Sequence, residues 1–226
     1  LALAKLMSSF GFNIHRWKHF AAACAIILMP MFFIIGQRET GSALVYLSFA
    51  LVLYREGMPG SILFTGVAMV VYFVVGIKYE QVLLAATPTS VGKYVVFLLV
   101  HVFTASMIYV YCKERRQTWL MLAYVLGITL TATLFSVFVI PFDIVLVQIV
   151  LSVLVMLYLL YQWLRTRLYN YLYIMLFSLG SIMFFYSADY VLNDVMEPHQ
   201  RVRINVLLGL EEDISGAGYN VHQSEI

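Results

Sequence analysis

Residues 143–163 read DIVLVQIVLSVLVMLYLLYQW, and this stretch decides the fold. After Asp143 it carries no charge, and an apolar run of about 17–25 residues is what a helix needs to cross roughly 30 Å of hydrocarbon. Comparable runs lie at about 20–36, 42–54, 60–77, 94–112, 118–140 and 170–190. None shows the period-two alternation of a membrane barrel, and in lipid an open chain satisfies its backbone only as helix. The expected fold is therefore all-α, a polytopic transmembrane helical bundle with about seven complete spans. Residues 1–12 (LALAKLMSSFGF) supply a partial N-terminal helix.

Composition agrees. The chain is 62% hydrophobic and only 12% charged, against about a quarter charged in a soluble domain, so 1–226 reads as a single integral membrane domain. The net charge of +2 gives no reason to expect nucleic acid as a partner. Cys24 and Cys112 fall in or beside apolar runs and read as small hydrophobes, not as a disulfide. No zinc-ligand spacing, nucleotide loop or Ser-His-Asp arrangement is present, so no metal site is assigned, and the cofactor question stays open, with a divalent cation compatible. The first residue is not Met and no signal-peptide pattern follows it; the chain is expected to be a fragment of a larger protein.

Sidedness follows from Lys and Arg in short loops. Arg16 and Lys18, then Arg55, then Lys113-Glu114-Arg115-Arg116, then Arg165 and Arg167 mark every second loop. That places the loop at Arg38-Glu39, residues 78–93 and everything from about Tyr190 onward on the outer face. Residues 191–226 are then an outward polar segment. The stretch Ala85-Ala86-Thr87-Pro88-Thr89-Ser90 reads as an ordinary breaker. His101 and Gln148 are intramembrane polar residues, a functional signal by default, though a lone His more commonly hydrogen-bonds a neighbouring helix. Thr129, Thr131, Thr133 and Ser136 read as helix-packing positions.

Two stretches carry a family likeness. Pro30-Met31-Phe32-Phe33-Ile34-Ile35-Gly36-Gln37-Arg38-Glu39-Thr40-Gly41-Ser42-Ala43 is similar to an apolar helix ending in Q-P-D-x-G-S/T-A. His199-Gln200-Arg201-Val202-Arg203-Ile204, followed by Gly216-Ala217-Gly218-Tyr219-Asn220-Val221-His222-Gln223-Ser224-Glu225-Ile226, is similar to Y-Q-x-x-R-I/V and D-P-x-G-A-G-Y-x-x-x-Q-S-x-I. Both patterns belong to the SEDS family (shape, elongation, division and sporulation), and the chain resembles its RodA branch more than its FtsW branch. Leu3-Ala4-Lys5-Leu6 is a weaker match to the family's E-F/I/L-A-K segment. The chain departs from the family at Arg38-Glu39, where Pro-Asp is usual, and at Asp213-Ile214, where Asp-Pro is usual. Residues 60–163 stand where a typical member has no helices and read as an inserted pair of helical hairpins, a pattern associated with RodA-like proteins of Bacteroidetes-type bacteria. Residues 191–226 become the start of the large extracellular loop.

The resemblance implies a peptidoglycan glycosyltransferase that polymerises lipid II, an undecaprenyl-pyrophosphate disaccharide-pentapeptide, at the outer face of the cytoplasmic membrane, for cell elongation and rod shape. It implies a class B penicillin-binding transpeptidase and other elongation-machinery membrane proteins as partners. The family's catalytic aspartate would lie beyond Ile226, so no catalytic residue is expected here. Substrate contacts are expected from Lys5, Glu39, Arg201, Arg203, Gln223 and Ser224, with Gln37, Gly41, Gly216, Gly218 and Tyr219 as motif positions. Arg suits a pyrophosphate through its bidentate fork. The alternatives are pairing of Arg201 and Arg203 with Glu197, Glu211, Glu212 or lipid headgroups, and of Glu39 with Arg38 or Lys5. A lipid-linked precursor flippase or transporter, or a membrane scaffold of the cell-wall machinery, are the rival functions.

Overall fold

The computed structural model describes residues 2–36, 40–85 and 87–192, together with Arg201 and Ile204. Eight α-helices follow one another among them: α1 (Ala2–Met7), α2 (Trp17–Gly36), α3 (Thr40–Arg55), α4 (Gly60–Lys78), α5 (Val91–Met107), α6 (Arg115–Phe138), α7 (Ile144–Thr166) and α8 (Tyr169–Tyr190). A π-helical turn, Ile108–Cys112, prolongs α5. Among the described residues six helices, α2 and α4 to α8, are long and apolar enough to cross a membrane, so the chain is a multi-pass helical membrane protein. The expected seventh span is α3, whose 16 residues rise about 24 Å, short of the usual hydrocarbon thickness.

The chain divides into two compact units, Leu1–Val67 and Ala68–Ile226, the division falling within α4. In the first, α3 folds back along α2. Its end is a Schellman closure: Gly57, at φ 102°, donates its N–H to Tyr54 O at 3.1 Å, and the Met58 N–H reaches Leu53 O at 3.0 Å. Glycine is needed there because a side chain is strained at that φ. Leu53 and Met58 then pack with Ile14, Ala23 and Ile27. This places the residues flanking Arg16 and those flanking Arg55 at one end of the hairpin, as the loop charges require.

The second unit is built on α5, α7 and α8, which pack on one another, with α6 against α5 and α7. Helix α8, which the resemblance sets outside the inserted hairpins, thus packs on two of the helices inside them. The seam of α7 runs through Ile144, Val145, Gln148, Leu151, Ser152, Val155, Leu159 and Gln162, a helical stripe in which three of the eight members are polar. Leu146 (62% exposed) and Val150 (59%) face outward while Gln148 is fully buried. That is a membrane pattern, because lipid is as apolar as leucine and association depends on packing and interhelical hydrogen bonds. Thr129 and Ser136 are buried and Thr133 half-buried, as packing positions should be, but Thr131 is exposed and its hydroxyl bonds back to Ile128 O at 2.9 Å. The reading of Thr131 as a packing position is corrected accordingly: it lies two residues, about 200°, from Thr129 and Thr133 on a 3.6-residue helix.

Residues 83–90 are more than a breaker. Leu83 and Ser90 form an antiparallel bridge, Leu84 N donates to Thr89 O at 2.9 Å, and Thr87 and Thr89 are buried. Thr89 Oγ1 donates to Asp143 Oδ1 (3.0 Å) and accepts the Ile144 N–H (2.8 Å), while Asp143 caps α7 by accepting from Val145 N at 3.0 Å. The loop thereby joins the start of α7 and satisfies donors its first turn would otherwise leave bare.

Candidate functional site

Of the site and motif residues that the family resemblance implies, Lys5, Gly41 and Arg201 are described. Gln37, Glu39, Arg203, Gly216, Gly218, Tyr219, Gln223 and Ser224 lie outside the described residues. Gly41 is in the first turn of α3. Lys5 is exposed on α1 in the first unit, and Arg201 is half-buried in the second. The neighbours of Lys5 along α1, Leu3 and Leu6, pack around Ala23 and Ile27, alongside the middle of α2 and not its Gly36 end.

Beside Lys5, α1, α2 and α3 enclose a groove of about 740 Å³, lined by residues that include Leu3, Met7, Ile26, Pro30, Tyr46 and Phe49. Among the described residues no charged side chain lines it. Its chemistry fits a hydrocarbon chain, and Pro30 within α2 removes one backbone donor there.

The second unit carries its polar groups in layers. At the end where α4 finishes and α5 begins, Lys93 Nζ lies 3.7 Å from Asp189 Oδ2. Glu80 joins them around a void of about 10 Å³, room for about one water. Both partners keep partial exposure, 33% and 22%, so Lys93→Gln should cost below about 1 kcal/mol in an SDS-titration measurement of stability. A larger loss would mean the pair is shielded from water.

Midway along the bundle, His101 Nδ1 is 2.7 Å from Phe97 O and His101 Nε2 is 3.3 Å from Ser152 Oγ. A carbonyl only accepts, so Nδ1 carries the proton, and a neutral ring offers Nε2 as acceptor. Ser152 Oγ is also 2.8 Å from Gln148 O, and its single proton serves one acceptor or the other. Gln148 Nε2 donates to Tyr94 O at 3.2 Å, while Gln148 Oε1 is buried without a partner. Serine on imidazole is also the arrangement of an activated nucleophile. Here both groups are sealed, at 3% and 2% exposure, and Nδ1 is held by a backbone carbonyl, so the pair ties α5 to α7 as the sequence reading of His101 anticipated.

At the opposite end Gln117 Oε1 accepts from Tyr158 Oη (3.0 Å), Gln162 Nε2 (3.3 Å) and Tyr171 Oη (3.4 Å). Sequence reasoning passed over this hub and over Lys93–Asp189. Gln162 on the same stripe as Gln148 and Ser152 was the available signal. No group of three metal-ligating side chains occurs among the described residues.

Charge separates the two ends. Lys113, Arg115, Arg116, Arg165 and Arg167 face Glu114 at the Gln117 end, and Lys78 and Lys93 face Glu80, Asp143 and Asp189 at the other. No protein-family model, curated protein or solved structure matches the chain.

Proposed function

We propose that this chain belongs to a SEDS-type peptidoglycan glycosyltransferase, polymerising lipid II at the outer face of the cytoplasmic membrane for cell elongation. The observation that carries the reading is the paired sequence signature: the apolar run leading into Gln37-Arg38-Glu39-Thr40-Gly41, and the polar run from His199 to Ile226 that follows the last apolar run. A multi-pass helical bundle suits a membrane-borne substrate. In this reading α3 is the seventh crossing, the cation-rich end of the second unit is cytoplasmic, and residues after Tyr190 emerge in the periplasm. Arg201 and Arg203 would hold the pyrophosphate, Glu39 and Lys5 the sugar and its phosphates, and the apolar groove of the first unit suits a polyprenyl tail. A class B transpeptidase is the partner.

The test supplies purified full-length protein, with that partner, with fluorescent lipid II. Glycan strands are expected; Arg201→Ala should slow their formation by about 100-fold, the scale of removing one electrostatic contact to a leaving group, and Glu39→Ala should slow it as well by loosening the sugar. Absence of strands, or full activity in both variants, defeats the assignment. The buried seam of Gln148, Ser152 and His101 favours one rival, a lipid-precursor flippase, since polar groups deep in a bundle mark transport paths. A flippase would move fluorescent lipid II across a vesicle membrane without lengthening it.

A further inference from the structure

The cations at the Gln117 end are more numerous and more organised than orientation in a membrane requires. Lys113, Arg115, Arg116, Arg165 and Arg167 are all exposed, and none makes a salt bridge among the described residues. They sit on two short reversals, α5 to α6 and α7 to α8, and the reversals are fastened together. Asn170 Nδ2 donates to Tyr111 O at 2.9 Å, and the Gln117 hub joins α6 to α7 and α8. Arg115 leans on Tyr109, its guanidinium 5.7 Å from the ring centre and its Nη2 3.1 Å from the hydroxyl.

Helix electrostatics account for only part of this set. Lys113 and Arg167 stand at helix C-termini, where a cation is favourable. Arg115 and Arg116 occupy the first turn of α6, which holds no acidic residue, and there the macrodipole repels them. Tyr109 meets Arg115, and no acidic side chain pairs with either arginine among the described residues, so an anion from outside can take that place. Trp119 (65% exposed) and Tyr169 (64%) flank the cations, as interfacial rings do at headgroup level. An anion that brings its own apolar chains matches both features, and arginine grips its phosphate through two parallel N–H bonds.

We propose that this end of the second unit is a binding surface for anionic phospholipid headgroups of the surrounding bilayer, favouring a headgroup with two phosphates because the cations are divided between two joined loops. The proposal is independent of the glycosyltransferase reading and would hold for a flippase as well.

Native mass spectrometry of the purified full chain tests it, with cardiolipin, phosphatidylglycerol, phosphatidylcholine and inorganic phosphate as separate probes. Cardiolipin should bind more tightly than phosphatidylglycerol, and phosphatidylcholine should not be retained. Arg116→Gln with Arg165→Gln should weaken cardiolipin binding about fivefold for each charge, so about 25-fold together. Arg116→Lys with Arg165→Lys should recover most of it, and Lys78→Gln at the opposite end should change nothing. If the double glutamine variant fails to fold, Arg116→Gln alone is read against the fivefold value. Equal retention of phosphatidylcholine, parental affinity in the glutamine variants, or binding of inorganic phosphate as tight as that of lipid would each overturn the proposal.

Discussion

Gly92→Ala should destabilise the second unit by about 2–4 kcal/mol, near or above the upper end of overpacking costs, and Gly92→Val should prevent its assembly. Gly92 donates its N–H to Tyr79 O at 2.9 Å at the reversal from α4 to α5. A Cβ there would strike the Gly76 carbonyl oxygen and lie 3.0 Å from Tyr79 C and 3.1 Å from Glu80 N. All three are backbone atoms, so relief requires moving a helix end and not turning a side chain. Gly76 is the instructive contrast: the three atoms nearest an added Cβ there all belong to the Phe185 ring, a side chain that can shift, and Gly76→Ala should cost about 1 kcal/mol. Gly127 and Gly180 have nothing within 4 Å of an added Cβ; their alanine variants should be neutral or gain up to about 1 kcal/mol from helix propensity. Unfolding by SDS titration in mixed micelles ranks the four. If Gly92→Ala falls with Gly127→Ala, the close approach of the two helix ends is wrong. Because Gly92 precedes Lys93, the same variant should also pull the ammonium from Asp189.

The helices were legible because lipid imposes a length. The expected spans at 94–112, 118–140, 143–163 and 170–190 meet Val91–Cys112, Arg115–Phe138, Ile144–Thr166 and Tyr169–Tyr190 within a few residues. Which side of each helix turns inward was much less legible. In water an apolar stripe marks the buried face, but here Leu146 and Gln148 exchange the places they would take in a soluble helix. Thr129 and Thr131 have the same chemistry and opposite surroundings, so composition could not separate them. The Thr89–Asp143 contact spans 54 positions and has no local signature. As for the candidate site, the positions that carry the family likeness fall mostly at 37–39 and beyond 192. Of those that are described, Lys5 and Arg201 are placed in separate units, and the polar constellations that are visible, around His101 and Gln117, arise from inward-facing residues that a hydropathy reading treats as interruptions.

Gln117→Leu should cost the bundle about 2–3 kcal/mol, given three hydrogen bonds of about 0.6 kcal/mol each in a membrane bundle and about 1 kcal/mol for donors left unsatisfied. The Gln117 carbonyl oxygen has two lone pairs and three donors within 3.0–3.4 Å. The longest, Tyr171 Oη, contributes least, so Tyr171→Phe should be almost silent. Gln162 Nε2 has a second outlet at 2.9 Å on Tyr158 Oη, and Tyr158→Phe should therefore lose about 1 kcal/mol by breaking two links of the hub. Gln117→Leu with Gln162→Leu should be milder than the single change, because removing donor and acceptor together leaves fewer orphans. SDS titration measures all four together with Gln162→Leu alone; a double variant whose loss equals the sum of the two single changes would show that the glutamines act separately and not as one network. The hub also fixes α6 against α7 and α8 where Arg116 and Arg165 emerge. Gln117→Leu should accordingly lower cardiolipin retention without touching a cation, whereas a purely charge-driven surface would leave retention unaltered.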